Sequence, residues 1–169
     1  MAVADRPFDV RHAGLVARRL GGVWRGALIE GPSGYGKSDL AIRCLEAGFR
    51  LVADDRTVVF LSAGRLYGRA PAVLEGLIEH RGLGLVRHPA IAFAEIALIV
   101  RCEAAPEAVE RLPDPAFETL LGTPAPLLRL WPFEGSAPAK LSRALEVLGR
   151  GAQEAYQASL APLGRRLGA

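Results

Sequence analysis

From Val23 to Glu30 (VWRGALIE) the chain is mostly apolar and reads as a strand, and Gly31 to Gly36 follows as a glycine-rich turn. The period then changes. Leu40, Ala41, Cys44 and Leu45 fall on one face of a helix, Asp39, Arg43 and Glu46 fall on the other, and Gly48 supplies a stop. Phe49 to Ala53 (FRLVA) is a second apolar strand, ending in Asp54 and Asp55. A strand, helix, strand unit of this kind predicts two parallel strands in one sheet.

Thr57 to Leu61 and Arg65 to Tyr67 predict a hairpin around Ala63 and Gly64. Ala70 to Glu79 reads as a short helical segment, and Arg81 to Gly84 (RGLG) as a loop whose glycines permit positive φ. Ile96 to Val100 and Leu127 to Leu130 are further strands, separated by connections rich in proline at Pro106, Pro113, Pro115, Pro124 and Pro126. Helical spacing returns from Ala137 to Leu148, and a last helix is expected over Ala152 to Leu160. The fold class is therefore α/β, with a central mixed sheet, flanking helices and C-terminal helices. At 169 residues the chain has room for one domain, 1–169.

Composition narrows the function classes. The net charge of +3 is mild, and basic residues are interspersed with acids, so charge gives no reason to expect a nucleic-acid or membrane partner. The most apolar stretch, Ala90 to Val100, contains Glu95 and is shorter than the roughly 18 apolar residues of a membrane span. The N-terminus carries Asp5 and Asp9 and lacks the apolar core of a signal peptide, which points to the cytoplasm. Cys44 and Cys102 have no metal-ligand spacing and read as two buried, reduced thiols.

Of 21 basic residues only Lys37 and Lys140 are lysines. Lysine retained in an arginine-rich chain suggests a site that needs a compact charge on a flexible stem. Lys37 stands in such a site, because Gly31-Pro32-Ser33-Gly34-Tyr35-Gly36-Lys37-Ser38 matches G-x-x-x-x-G-K-[ST]. The glycines let successive backbone N–H groups turn inward around a phosphate, and the helix behind adds the positive end of its dipole. Lys37 then reaches the β- and γ-phosphates of ATP, and the Ser38 hydroxyl is a ligand for Mg²⁺.

Asp54 and Asp55 end the next strand, where open parallel sheets bind their ligands. A carboxylate beside the γ-phosphate can hold the metal or take a proton from the attacking hydroxyl, and two adjacent ones point in different directions. Taken alone, Asp54 and Asp55 also fit a hydrated acidic turn, Glu79 a solvated helix end and His12 a structural residue.

These motifs, in this order, resemble the catalytic domain of HPr kinase/phosphorylase, a serine kinase of the bacterial phosphotransferase system. The resemblance rests on His12-Ala13, on Gly31 to Ser38 with Asp39-Leu40-Ala41, on Arg50 to Asp55, and on Leu77-Ile-Glu79-His-Arg81-Gly-Leu-Gly84. The last is similar to the family signature LxEIRGLGI, with His80 where isoleucine is usual. The resemblance runs from about His12 to Arg111 and more weakly to Lys140.

The resemblance implies a P-loop kinase-like fold and transfer of phosphate from ATP to a serine of an HPr-like phosphocarrier. It lays Asp54 on the catalytic aspartate, Glu79 on a magnesium position, His12 on a site histidine and Arg111 on a catalytic arginine, and Asp55, the second carboxylate of the pair, is read as a further metal ligand. It implies a homo-oligomer, for which Trp131 and Phe133 are candidate interface residues. No counterpart of the N-terminal domain of full-length members is expected, as in the short form resembling alphaproteobacterial proteins. The segment Leu130 to Lys140 lacks the arginine and asparagine that support phosphorolysis in the bifunctional members, so the reverse reaction is in doubt. Two other classes stay open: a P-loop small-molecule kinase and a nucleotide-sensing regulator without turnover.

Overall fold

The computed structural model describes residues 8–149. Its strands are β1 (Phe8–Arg11), β2 (Ala13–Leu20), β3 (Val23–Glu30), β4 (Arg50–Ala53), β5 (Thr57–Ser62), β6 (Arg65–Arg69), β7 (Leu77–His80), β8 (Gly84–Arg87), β9 (Ala94–Cys102), β10 (Ala116–Leu120) and β11 (Thr123–Leu130). Two helices join them, α1 (Lys37–Glu46) and α2 (Ala137–Val147). Nine strands form one mixed sheet, in the order β1-β5-β6-β9-β3-β2-β4, with the β10–β11 pair attached to β9 through β11; β7 and β8 form a separate hairpin.

Apolar faces explain the layering. Val16, Ala27, Ile29, Leu98 and Val100 point to the side where α1 contributes Leu40, Ala41 and Cys44 and α2 contributes Leu141 and Leu145. The opposite face, with Leu15, Leu28, Ile96 and Ile99, has no helix over it among the described residues. The sheet curls so that Val59, Leu66, Leu120 and Ala125 close that side instead. Strands buried on both faces need near-continuous apolar runs, and β9 has one.

The predicted strand, helix, strand unit is present, with β3 and β4 running in the same direction. They are not neighbours, because β2 lies between them and pairs antiparallel with both. The predicted hairpin of β5 and β6 turns at Ala63 (φ 49°) and Gly64 (φ 72°), as a two-residue turn with both φ positive demands.

The helix expected over Ala70 to Glu79 is a correction. Only Ala72–Leu74 winds into a 3-10 turn, and the segment then runs out as β7. Gly76, at φ 73°, ends any helical run, and Ile78 buries completely against the helical side while Glu79 turns outward, which is the period of a strand. The loop glycines Gly82 and Gly84 take positive φ as expected. The helix expected over Ala152 to Leu160 lies outside the described residues. Among the described residues no helix is long and apolar enough to cross a membrane.

Candidate functional site

Strand polarity brings the site together. β3, β9 and β11 are parallel, and β4 points the same way, so Glu30 and Ala53 end on one edge of the sheet. β2 runs oppositely and begins at that edge, with Ala13 paired to Glu30. His12, Gly31, Asp54 and Asp55 are therefore neighbours although they are far apart in sequence.

The Gly31–Ser38 loop is a turn closed by Tyr35 N–H to the Pro32 carbonyl at 3.2 Å and by Leu40 N–H to the Gly36 carbonyl at 2.9 Å. Gly34 (φ 82°) and Gly36 (φ 80°) hold the left-handed backbone that a side chain would resist. Among the described residues, the N–H groups of Gly36, Lys37, Ser38 and Asp39 find no backbone acceptor, as the first N–H groups of a helix do not. They make a row of donors suited to an anion. Lys37 is nearly buried and arches back over the loop, its Nζ donating to the carbonyls of Gly31 at 2.7 Å and Pro32 at 3.0 Å.

The two aspartates differ in surroundings. Asp54 is 8% exposed and both of its oxygens are engaged. Oδ1 accepts the Ser38 hydroxyl at 2.8 Å, and Oδ2 accepts the Glu79 backbone N–H at 3.1 Å. Asp55 is exposed, sits at φ 62°, and places Oδ1 2.6 Å from Nε2 of His12. Its left-handed backbone, tolerated by Asp better than by most residues, turns the second carboxylate away from the first.

A cleft of about 520 Å³ is lined by His12, Lys37, Ser38, Asp55, Glu79 and Phe133, among others. The structure thus gathers His12, the loop from Ser33 onward, Asp55 and Glu79 in one place, with Asp54 beneath Ser38. It does not bring in Arg111, which stands exposed in the connection between β9 and β10, does not line the cleft, and makes no hydrogen bond or ion pair among the described residues. No group of three or more His, Cys, Asp or Glu side chains able to hold a metal occurs among the described residues. The Ser38 hydroxyl and the Glu79 carboxylate are hard oxygen ligands, which fits Mg²⁺ held jointly with substrate phosphates rather than in a protein cage, whereas Asp55, read from the sequence as a third ligand, has its Oδ1 engaged by His12.

Phe133, a candidate interface residue in the sequence, lines this cleft, and its ring tip lies against Gly36. The available signal was its place just beyond β11, since ligands of parallel strands gather past their carboxyl ends. His80, where the resemblance expects isoleucine, also lines the cleft, with Nε2 2.9 Å from Nε2 of His88. Cys44 and Cys102 are free and buried. Burial pushes the Cys44 thiol up to about 12 and the Cys102 thiol up to about 11.

Comparison with known proteins places the sequence and the fold in a family. The model of the HPr Serine kinase C-terminal domain matches residues 14–101. The HPr kinase/phosphorylase of Leptothrix cholodnii is 40% identical over 112 residues, 59% of this chain and 34% of that protein. Its counterpart from Clostridium tetani is 44% identical over 66 residues, 39% of this chain and 22% of that protein. The chain thus spans about a third or less of the length of these curated relatives. The structure of the Hpr(Ser) kinase/phosphatase from Coxiella burnetii superposes with a TM-score of 0.69 at 23% identity, covering 82% of this chain and 94% of that one, and so shares the fold. With more than half of its length matched by the family model, the chain belongs to the family of the HPr serine kinase C-terminal domain.

Proposed function

We propose that this chain is an ATP-dependent, magnesium-requiring protein serine kinase of the cytoplasm, acting on an HPr-like phosphocarrier. The observation that carries the proposal is the opening of the Gly31–Ser38 loop onto the same cleft as the Asp55–His12 pair. Relatives named HPr kinase/phosphorylase supply the class of acceptor.

The loop N–H groups and Lys37 bind the β- and γ-phosphates, and Lys37 exchanges its loop carbonyls for phosphate oxygens. Ser38 and Glu79 would hold magnesium, which when bound offsets charge on the transferring phosphoryl group. The resemblance lays the base on Asp54, but the geometry favours the opposite division of labour. A buried carboxylate with one donor on each oxygen is poorly placed to accept a proton from an incoming hydroxyl, and well placed to orient Ser38. Asp55 is exposed to the cleft and takes the proton of the acceptor serine, while His12 fixes its direction. Arg111 has no part in this mechanism.

The reverse reaction would require free phosphate beside a phosphoserine, two anions whose repulsion demands fixed cations. Lys140 supplies none, because its Nζ is held by both oxygens of Glu134 at 2.7 and 2.8 Å. Arg81, on the cleft wall, offers one guanidinium for two anions, so the forward reaction is expected to dominate. Self-association belongs to the same proposal, and its surface is the sheet edge at β1, where Phe8 and Val10 are exposed beside Leu61.

The test is to incubate the chain with labelled ATP, magnesium and a panel of HPr-like carriers. Label on a carrier serine is expected. Nucleotide binding without transfer to any carrier would favour the nucleotide-sensing regulator instead.

A further inference from the structure

Phe133 is a large apolar ring left 52% exposed at the mouth of the cleft. A Cβ added to Gly36 would lie 2.7 Å from its Cζ and 2.9 Å from its Cε1, so the ring tip meets the loop that offers the anion donors. The ring is held in place. Trp131 packs against it edge-on, with centroids 6.4 Å apart at 66°. The backbone on either side is pinned to α1, because Arg43 donates to the carbonyls of Pro132 and Glu134.

The sheet fixes which end of the cleft this is. β11 and β4 lie on opposite sides of β3, so Phe133, following β11, and Asp55, following β4, flank the Gly31–Ser38 loop from opposite sides. If phosphoryl transfer takes place at Asp55, the part of the nucleotide remote from the transferred phosphate leaves on the other side, past Gly36. That part carries a planar aromatic base. We infer that Phe133 is the stacking platform for the base of the nucleotide, an assignment that rests on the nucleotide-binding reading above. A restrained ring gains a face-to-face partner at little cost in conformational freedom. Ile42, also on the cleft wall, extends the apolar surface.

The test is calorimetric titration of the full chain, with magnesium, by ADP and by pyrophosphate, which carries phosphates but no base. The wild type is expected to bind ADP more tightly than pyrophosphate. Phe133→Ala is expected to lower ADP affinity about 5- to 100-fold, the range of one base stacked on an aromatic ring. Pyrophosphate affinity is expected to stay as it was, and Phe133→Tyr to restore ADP binding. Because the ring is half exposed, the thermal midpoint of Phe133→Ala should stay near that of the wild type, and Phe133→Leu provides a second variant that keeps the bulk without the aromatic face. Unchanged ADP affinity in Phe133→Ala would overturn the inference. So would an equal loss for both ligands, which would make the ring a mere support for Gly36. A wild type that binds pyrophosphate as tightly as ADP overturns the inference alone, and one that binds neither overturns the nucleotide reading with it.

Discussion

The proposed division between Asp54 and Asp55 predicts opposite consequences for two chemically identical substitutions. The Asp54 side chain is buried, and its Oδ1 and Oδ2 accept from Ser38 Oγ–H and Glu79 N–H at 2.8 and 3.1 Å, one of which Asp54→Asn must lose as an acceptor. Hydrogen bonds to a charged group contribute about 1.5–3 kcal/mol each. The asparagine oxygen can keep the Glu79 N–H, but its NH₂ then donates to Ser38 Oγ and occupies a lone pair that the metal needs. A stability loss of about 1–3 kcal/mol is expected, since one charge-assisted bond becomes a neutral one. The magnesium midpoint should rise with it. Asp55→Asn removes a side chain that is 59% exposed, so its pairing with His12 is worth only about 0–1 kcal/mol. Asparagine also tolerates the φ of 62°, so no backbone strain enters. Loss of the general base should instead lower kcat about 10²- to 10⁴-fold, near 3–5 kcal/mol on the barrier, at an unchanged magnesium midpoint. The assay combines initial rates of carrier phosphorylation across a magnesium series with urea unfolding of each variant. Full turnover in Asp55→Asn at saturating magnesium, with turnover lost in Asp54→Asn, would refute the division and restore Asp54 as the base.

Ser38→Ala should raise the magnesium midpoint more than it weakens metal-free nucleotide binding, as a metal titration against rate will show; an unchanged midpoint removes Ser38 as a ligand. The buried thiols should resist alkylation in the folded chain and react on unfolding. Because their folded values, about 12 and about 11, exceed the unfolded value near 8.5, the unfolded state loses protons first as pH rises. Stability should therefore be constant below about pH 8.5 and fall above it, less steeply in a Cys44→Ala/Cys102→Ala variant. With phosphoserine carrier and excess phosphate, pyrophosphate release should run far below the forward rate; comparable rates would mean that a cation other than Lys140 serves the second anion. Light scattering should show an oligomer that Phe8→Asp and Val10→Asp dissociate, and a monomer at high concentration ends the idea.

Much of the fold was legible because particular backbone shapes demand particular residues. Gly64 with Ala63, and Gly82 with Gly84, mark turns whose φ values few other residues adopt. β3 and α1 were legible because their apolar periods are clean. β2 was not read, although the pair Gly21 and Gly22 after it, at φ 57° and 82°, is a hairpin signal in its own right. Its sequence AGLVARRL is apolar on both faces at the start and basic at the end, since Leu15 and Val16 enter opposite cores. Such a strand shows neither alternation nor helical spacing. β10 (AFETL) hid between prolines, with Pro113 and Pro115 before it and Pro124 and Pro126 in its partner β11, on the half of β11 that pairs with β10 alone and so has a free side to its ladder.

The chemistry of the loop could be read locally, whereas the company each residue keeps could not. The roles proposed for Lys37 and Ser38 rest on a motif of eight residues, and the sequence states that spacing outright. The assignment of Asp54 and Asp55 depends on which one β7 covers, and β7 reaches Asp54 only because Gly76 breaks the segment and lets Glu79 present its N–H. The pairing of His12 with Asp55 depends on β2 entering between β3 and β4, a topological insertion with no mark in the motif. Phe133 looked like interface material because an exposed aromatic residue has two physical explanations, a partner protein or a ligand, and only the parallel register of β11 with β9 puts it on the edge where the second applies. In the proposed mechanism the motif thus supplies the atoms that touch phosphate, while sheet order decides which neighbouring carboxylate is left free to take a proton.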